Sequence, residues 1–276
     1  MIIKTLMENT AIDDDLQIEH GLSLYVRTDK HKILFDTGQS DKFINNAQHM
    51  QVDLTAVDSV LISHGHYDHG GGLEAFFVLN RYAPVYIQKE AFENHLAKTT
   101  SGHNYIGIKK ELALLPRMIF VRDYLQIDDE LEIFAGVNGR QYHSPANDIL
   151  LKEEQGTIQP DNFLHEQNLI ITTAPGQAIL IAGCAHNGIV NIMQHFINLK
   201  GFAPKVVVGG FHLMRGGVAP YVPDKLIDDI AAWLAQYPST LYLTGHCTGL
   251  PAFERMKDKL GSQLEYLYTG SVFEFA

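Results

Sequence analysis

Residues 63–72, Ser-His-Gly-His-Tyr-Asp-His-Gly-Gly-Gly, place His64, His66, Asp68 and His69 within six positions, directly after the apolar run Val60-Leu61-Ile62. With 14 histidines in 276 residues, independent draws would give His-x-His-x-Asp-His on the order of 0.002 times, so chance is a poor account of it. Imidazole and carboxylate donors without a thiolate suit Zn, Mn or Fe(II). Four such groups buried together without a cation would be costly. Alternate side chains of an extended segment face the same way, so His64 and His66 can serve one ion, with His186 as a third ligand. Asp68 and His69 lie one turn further on and can serve a second ion with His246. Three protein ligands per ion leave room for water, whose pKa a metal lowers from about 15.7 to about 7. The chemistry open to this pattern is attack by a metal-bound hydroxide at neutral pH.

Such a site needs strands whose ends converge. Residues 22–26 and 32–35 read as a hairpin and 57–62 as a short buried strand. Helical spacing follows at 40–50 and 73–82. The second half repeats this grammar. Apolar strands at 178–182, 205–208 and 241–243 run into Gly183-Cys184-Ala185-His186, Gly209-Gly210-Phe211-His212 and Gly245-His246-Cys247. Helices are expected at 189–199, 226–237 and 253–260. In layered α/β proteins the ligand site lies beyond the carboxyl ends of the strands, where histidines distant in sequence can meet. Segments 95–125 and 138–168 lack periodicity and read as irregular lid loops on one domain spanning 1–276. Within them and beyond, His103, Asn104, Tyr105, Lys109, Arg140, Tyr142, His143 and Arg215 are candidates to recognise a polar or anionic substrate.

A composition of 46% hydrophobic residues is ample for a packed core. The formal charge is -11, with no basic cluster beyond Lys109-Lys110. That argues against nucleic acid or an anionic membrane as partner, leaving a small-molecule substrate and leaving a homo-oligomer open. Residues 1–8 turn polar too soon for a signal peptide, and no apolar run approaches the roughly 20 residues of a membrane span. Cys184 and Cys247 are the only cysteines, which fits a reducing cytoplasm. Both read as small buried residues rather than ligands. The isolated His20, His49, His95 and His195 read as surface or internally satisfied residues, His195 on the polar side of its helix.

His64-x-His66-x-Asp68-His69 resembles the signature of the metallo-β-lactamase superfamily, and Asp36, His186 and His246 match its other landmarks in order. The resemblance covers nearly the whole chain. It implies an α/β fold, a four-layered αββα sandwich, with two divalent transition-metal ions, Zn first and Mn or Fe as alternatives. His64, His66, Asp68, His69, His186 and His246 are the implied ligands. Asp68 is also an implied catalytic residue, as is Asp36, expected to accept a ligand histidine's N–H and fix its tautomer. Residues 207–213, 245–249 and 163–170 resemble the branch containing dihydropterin ribofuranosyl-aminobenzene phosphate synthase. One departure stands out. Most two-metal members carry a bridging aspartate at the elbow after residue 208, where this chain has His212 and no carboxylate. His212 is therefore expected in the site, as a metal ligand or against the substrate.

The resemblance implies a metal-dependent hydrolase of an ester, lactone or phosphodiester, or the related synthase reaction. Two alternatives belong to other classes: a ligand-sensing protein that kept its metals with little turnover, and a di-iron redox protein. The second expects carboxylate-rich ligation and a flavin domain, neither of which the sequence offers.

Overall fold

The computed structural model describes residues 1–174, 176–214 and 222–275. The chain divides into two compact units, one of Met1–Arg122, Leu151–Gln167 and Leu267–Ala276, the other of Asp123–Leu150 and Asn168–Tyr266.

Among the described residues, the first unit is built on a seven-stranded sheet. From edge to edge its strands are Val272–Glu274, Ile2–Met7, Ser23–Arg27, Lys32–Phe35, Ser59–Leu61, Val85–Gln88 and Met118–Val121. The expected hairpin is present, with Leu24 opposite Phe35 and Arg27 opposite Lys32. From Lys32–Phe35 onward the pairing is parallel, and parallel neighbours need crossovers. Helices Lys42–His49 and Leu73–Leu79 supply two of them, burying Phe43, Ala47, Leu73 and Phe76 in one cluster with Val60, Ile62, Val85 and Ile87. Each large apolar side chain so buried contributes roughly 1.5–3 kcal/mol.

Segments 95–125 and 138–168 are more ordered than their sequence suggests. They contribute a four-stranded sheet in the order Thr157–Pro160, Leu150–Glu154, Asn94–Thr99, Gly102–Tyr105. The strand Gly102–Tyr105 is exposed throughout and Thr157–Pro160 nearly so, so no alternation of apolar and polar residues marks them. Glu154 pairs with Thr157 across Gln155 (φ 51°) and Gly156 (φ 78°). Two successive positive φ angles make this the tight hairpin turn whose twist suits the flanking strands.

Among the described residues, the second unit has its own seven-stranded sheet, ordered Leu264–Tyr266, Leu241–Thr244, Val206–Val208, Gln177–Ile181, Gln167–Ala174, Leu131–Ala135, Tyr124–Gln126. The first four strands are parallel, and helices Ile189–Lys200, Asp224–Leu234 and Leu250–Leu260 provide their connections. In the helix Ile189–Lys200, Ile189, Ile192, Met193 and Phe196 are buried at helical spacing, and Gly201 ends it at φ 78°. Tyr242 is fully buried and donates its hydroxyl to Leu234 O at 2.8 Å, tying the helix Asp224–Leu234 to the sheet. No helix among the described residues is long and apolar enough to cross a membrane.

Candidate metal centre and active site

In the first unit the strand Ser59–Leu61 stops three residues short of His64, and His66, in extended backbone, caps the short helix Tyr67–Gly70. His64, His66, Asp68 and His69 are all buried. His64 Nε2 and His66 Nδ1 lie 3.1 Å apart. Two nitrogens on one tetrahedral zinc, each about 2.0–2.1 Å from it, would sit about 3.3 Å apart. Asp68 Oδ2 lies 3.5 Å from His69 Nε2 and 3.3 Å from Nε2 of His20, a residue read from sequence as isolated.

Asp36 is fully buried behind this cluster, in left-handed backbone at φ 58°. Its carboxylate accepts from Ser63 N–H (2.7 Å), Ser63 Oγ–H (2.7 Å) and His69 Nδ1–H (2.7 Å). That last bond turns Nδ1 to Asp36 and leaves Nε2 as the nitrogen a cation would take, in place of its proton. Ser63 Oγ, already donating to Asp36, lies 2.9 Å from His64 Nδ1, so His64 likewise presents Nε2. The glycines are explained by crowding: a Cβ on Gly71 would meet Gln39 O at 2.2 Å, and one on Gly72 would meet Thr37 O at 2.3 Å.

Burial opposes charge on His69, yet Asp68 and then Asp36 outweigh it and push its pKa up to about 10. This corner of the unit therefore holds a positive charge firmly. A divalent cation on Nε2 would satisfy the same field, and the donor set fits one.

Three residues that sequence reasoning missed complete the unit. His95, read as a surface or satisfied residue, is fully buried and has both nitrogens against oxygen acceptors: Asp161 Oδ2 at 2.8 Å and Glu90 O at 3.0 Å. His165 Nε2 lies 3.3 Å from the same Asp161 oxygen, and its Nδ1 accepts from Gly65 N–H at 2.9 Å. His165 thus grips the residue between His64 and His66. Gly65 must be glycine, because a Cβ there would meet Ala91 O at 2.4 Å. The His66 ring lies 5.3 Å from that of His165 and 5.7 Å from that of His95. Burial, then His165 and His95, hold His66 well below the ordinary histidine range. Burial and His95 bring His165 down to about 4. Burial works against the Asp161 carboxylate, but His165 and His95 outweigh it and depress its pKa strongly. His165 lies inside the quoted 163–170 resemblance; nothing local marks His95 or Asp161.

In the second unit His186, His212 and His246 are buried at three successive elbows. Asn147, also unsuspected, holds His186 at both ends: its Nδ2–H donates to His186 O at 2.8 Å, and its Oδ1 lies 2.9 Å from Nδ1. His186 then presents Nε2. Ala185, His212 and His246 have φ of 57°, 50° and 51°, strained values that persist only where the surroundings impose them. The His212 ring lies 4.2 Å from that of His186, and neither of its buried nitrogens has a hydrogen-bond partner among the described residues. Cys184 and Cys247 are buried and form no disulfide. Burial raises the Cys247 thiol pKa, but Cys184, His212 and His246 outweigh it and bring it well below the ordinary value. His195 departs from expectation: it is half-buried and stacks on Phe134, centroids 5.1 Å apart and rings 5° from parallel. A cavity of about 270 Å³ lined by Lys205, Tyr237 and Thr240 sits at the opposite, amino ends of the strands carrying the elbows.

Of the substrate candidates, His103, Asn104, Lys109, Arg140 and His143 are exposed. Lys109 pairs with Glu74, and Tyr105 donates to Ile108 O. Tyr142 sits at φ 53°, and Arg215 lies outside the described residues.

Comparison with known proteins agrees with this pattern. A 7,8-dihydropterin-6-methyl-4-(beta-D-ribofuranosyl)-aminobenzene-5'-phosphate synthase of Methanocaldococcus jannaschii is 26% identical over 99% of this chain and 96% of its own. An uncharacterised protein of the same organism is 28% identical over 98% of each. The crystal structure of Tm1679, described as a metal-dependent hydrolase of the beta-lactamase superfamily, superposes with a TM-score of 0.81 at 28% identity, covering 100% of this chain and 99% of that one. The profile of the metallo-beta-lactamase superfamily matches residues 18–185, the stretch holding Asp36, the His64–His69 motif and the His95–Asp161–His165 network. By that match, and with the α/β fold its neighbours share, the chain belongs to the metallo-β-lactamase superfamily.

Proposed function

We propose that the protein is a cytoplasmic metal-dependent hydrolase acting on an ester, lactone or phosphodiester of a small molecule. The observation that carries this reading is the buried set His64, His66, Asp68 and His69, with Asp36 locking a tautomer behind it. In the first unit those four residues would be the ion donors, and in the second His186 and His246, with His212 beside them. Two divalent ions are expected, zinc first. When bound, they acidify a water and polarise the bond it attacks.

The chain's own residues prepare that chemistry. Asp36 and Ser63 hold protons on the outer nitrogens of His69 and His64. Asn147 does the same for His186. His165 fixes the backbone at Gly65, and Asp68 would be the carboxylate that takes up a proton. A second reading, the dihydropterin ribofuranosyl-aminobenzene phosphate synthase reaction, is favoured by the full-length likeness to a relative of that name.

The test is metal analysis of the purified protein, followed by turnover of phosphodiester, lactone and ester panels with Zn or Mn. One to two ions per chain and metal-dependent turnover are expected. Metal content near zero with no response to added ions would end the reading. Bound ions without turnover of any panel member, the synthase substrates included, would favour the ligand-sensing alternative.

A further inference from the structure

We propose that Cys184, Cys247 and His212 form a sulfur-containing metal-ligand set, supplying the anionic donors that the elbow after Val208 lacks as a carboxylate. This rests on the metal-dependent reading above. It differs from the sequence reading, which took both cysteines as inert packing.

The two sulfurs and a ring nitrogen of His212 all lie within 4.8 Å of one another. Cys184 is 3% exposed, Cys247 4% and His212 8%. A buried imidazole ordinarily finds a partner, and one that does not points to an unplaced water or ion. Neither nitrogen of His212 has one among the described residues, and an ion on one nitrogen supplies what no described group does.

The trio is also held in place. Leu213 N–H and Met214 N–H both donate to Cys247 O, at 2.9 and 2.8 Å. Phe211 N–H donates to Thr248 Oγ1 at 2.9 Å, and Ser144 Oγ–H donates to His212 O at 2.6 Å. These bonds tie the 211–214 turn to the 247–248 turn and keep His212 in left-handed backbone. Gly210 completes the seat, since a Cβ there would lie 2.4 Å from Cys247 Sγ.

Two thiolates and one imidazole suit a tetrahedral zinc with its fourth position open. Each thiol gives its proton to solvent as it binds. The carboxylate-for-sulfur exchange predicts softer metal preference, with cadmium and zinc favoured over manganese.

Cobalt(II) reports sulfur ligation directly. Chelated full-length protein reloaded with cobalt is expected to show an intense near-ultraviolet sulfur-to-cobalt charge-transfer band. That band weakens in Cys184→Ser and in Cys247→Ser and vanishes in the double variant. Because the variants can lose their fold, cadmium-113 resonance of the unmodified protein provides a second measurement, expected in the range of sulfur ligands. Cobalt bound with visible ligand-field bands but no charge-transfer band, or a cadmium spectrum with resonances in the nitrogen and oxygen range and none in the sulfur range, would overturn this inference and leave the metal-dependent reading standing. Protein that binds neither metal would overturn both.

Discussion

Two buried clusters, one in each unit, answer the same problem in opposite ways. Around Asp161, every ring nitrogen of His95 and His165 has a protein partner. Around Cys247, the imidazole of His212 has no hydrogen-bond partner among the described residues. A closed network of this kind stabilises what it surrounds, and here it surrounds Gly65 and His66. An open one stores an unmet demand, which a ligand can satisfy. Burial alone does not separate scaffold from site; whether the polar atoms are already satisfied does.

The sharpest contrast is between His66→Ala and His195→Ala. Loss of His66 is expected to cost more than about 100-fold in activity, beyond the usual loss for an outer partner of a metal ligand. Loss of His195, stacked on Phe134 away from any elbow, should leave activity within about twofold while costing about 1 kcal/mol of stability. Equal losses in turnover would mean that the His64–His69 cluster is not the active centre.

Asp161→Ala tests the closed network itself. It strips two buried imidazoles of an acceptor and should lower unfolding free energy by about 3 kcal/mol in denaturant titration. A change below about 0.5 kcal/mol, the level of an ordinary surface substitution, would show that the network contributes little.

In metal-free protein His165 and His69 should titrate in opposite senses. His165, brought down to about 4 from 6.5, stays neutral in the folded state. Between pH 6.5 and 4 the unfolded chain therefore binds a proton that the native state refuses, and stability falls with acidification by about 3 kcal/mol. Asp161, depressed below its ordinary value, adds to the loss at still lower pH. His69, pushed up to about 10, contributes stability that is full below pH 6.5 and lost as pH rises toward 10. Chelated protein should thus be most stable near neutrality, and a melting temperature flat from pH 4 to 10 would contradict both assignments.

A smaller effect on chemistry than that of His66 is expected at His165. His165→Ala should reduce turnover about 10- to 100-fold through the displaced Gly65 amide. His165→Asn, whose side-chain oxygen falls near the lost Nδ1, should recover part of it. Equal damage in both variants would assign His165 to packing alone.

Much of this was legible in the chain. The strands before residues 36, 64, 183, 209 and 245 are short apolar runs that end in polar elbows, and both the runs and their histidines are local in sequence. The small sheet containing Asn94–Thr99 and Leu150–Glu154 was not legible. Its strands are polar and half exposed, so the two-residue period that reveals a strand is missing. His95, Asp161 and Asn147 escaped for a related reason: each stands alone in an aperiodic stretch of sequence, and isolated polar residues of this kind mostly face solvent.

By itself, the sequence determined that histidines and an aspartate of cation-binding type stand at strand ends, because residue type and elbow spacing are properties of a few consecutive residues. Only the tertiary structure decided which partners complete them. Gly65 and His165 meet from 100 residues apart, and Cys184 meets Cys247 and His212 from different elbows. Such pairings are set by strand order and by the absence of space for any side chain at Gly65 or Gly210, terms that arise only when the sheets pack.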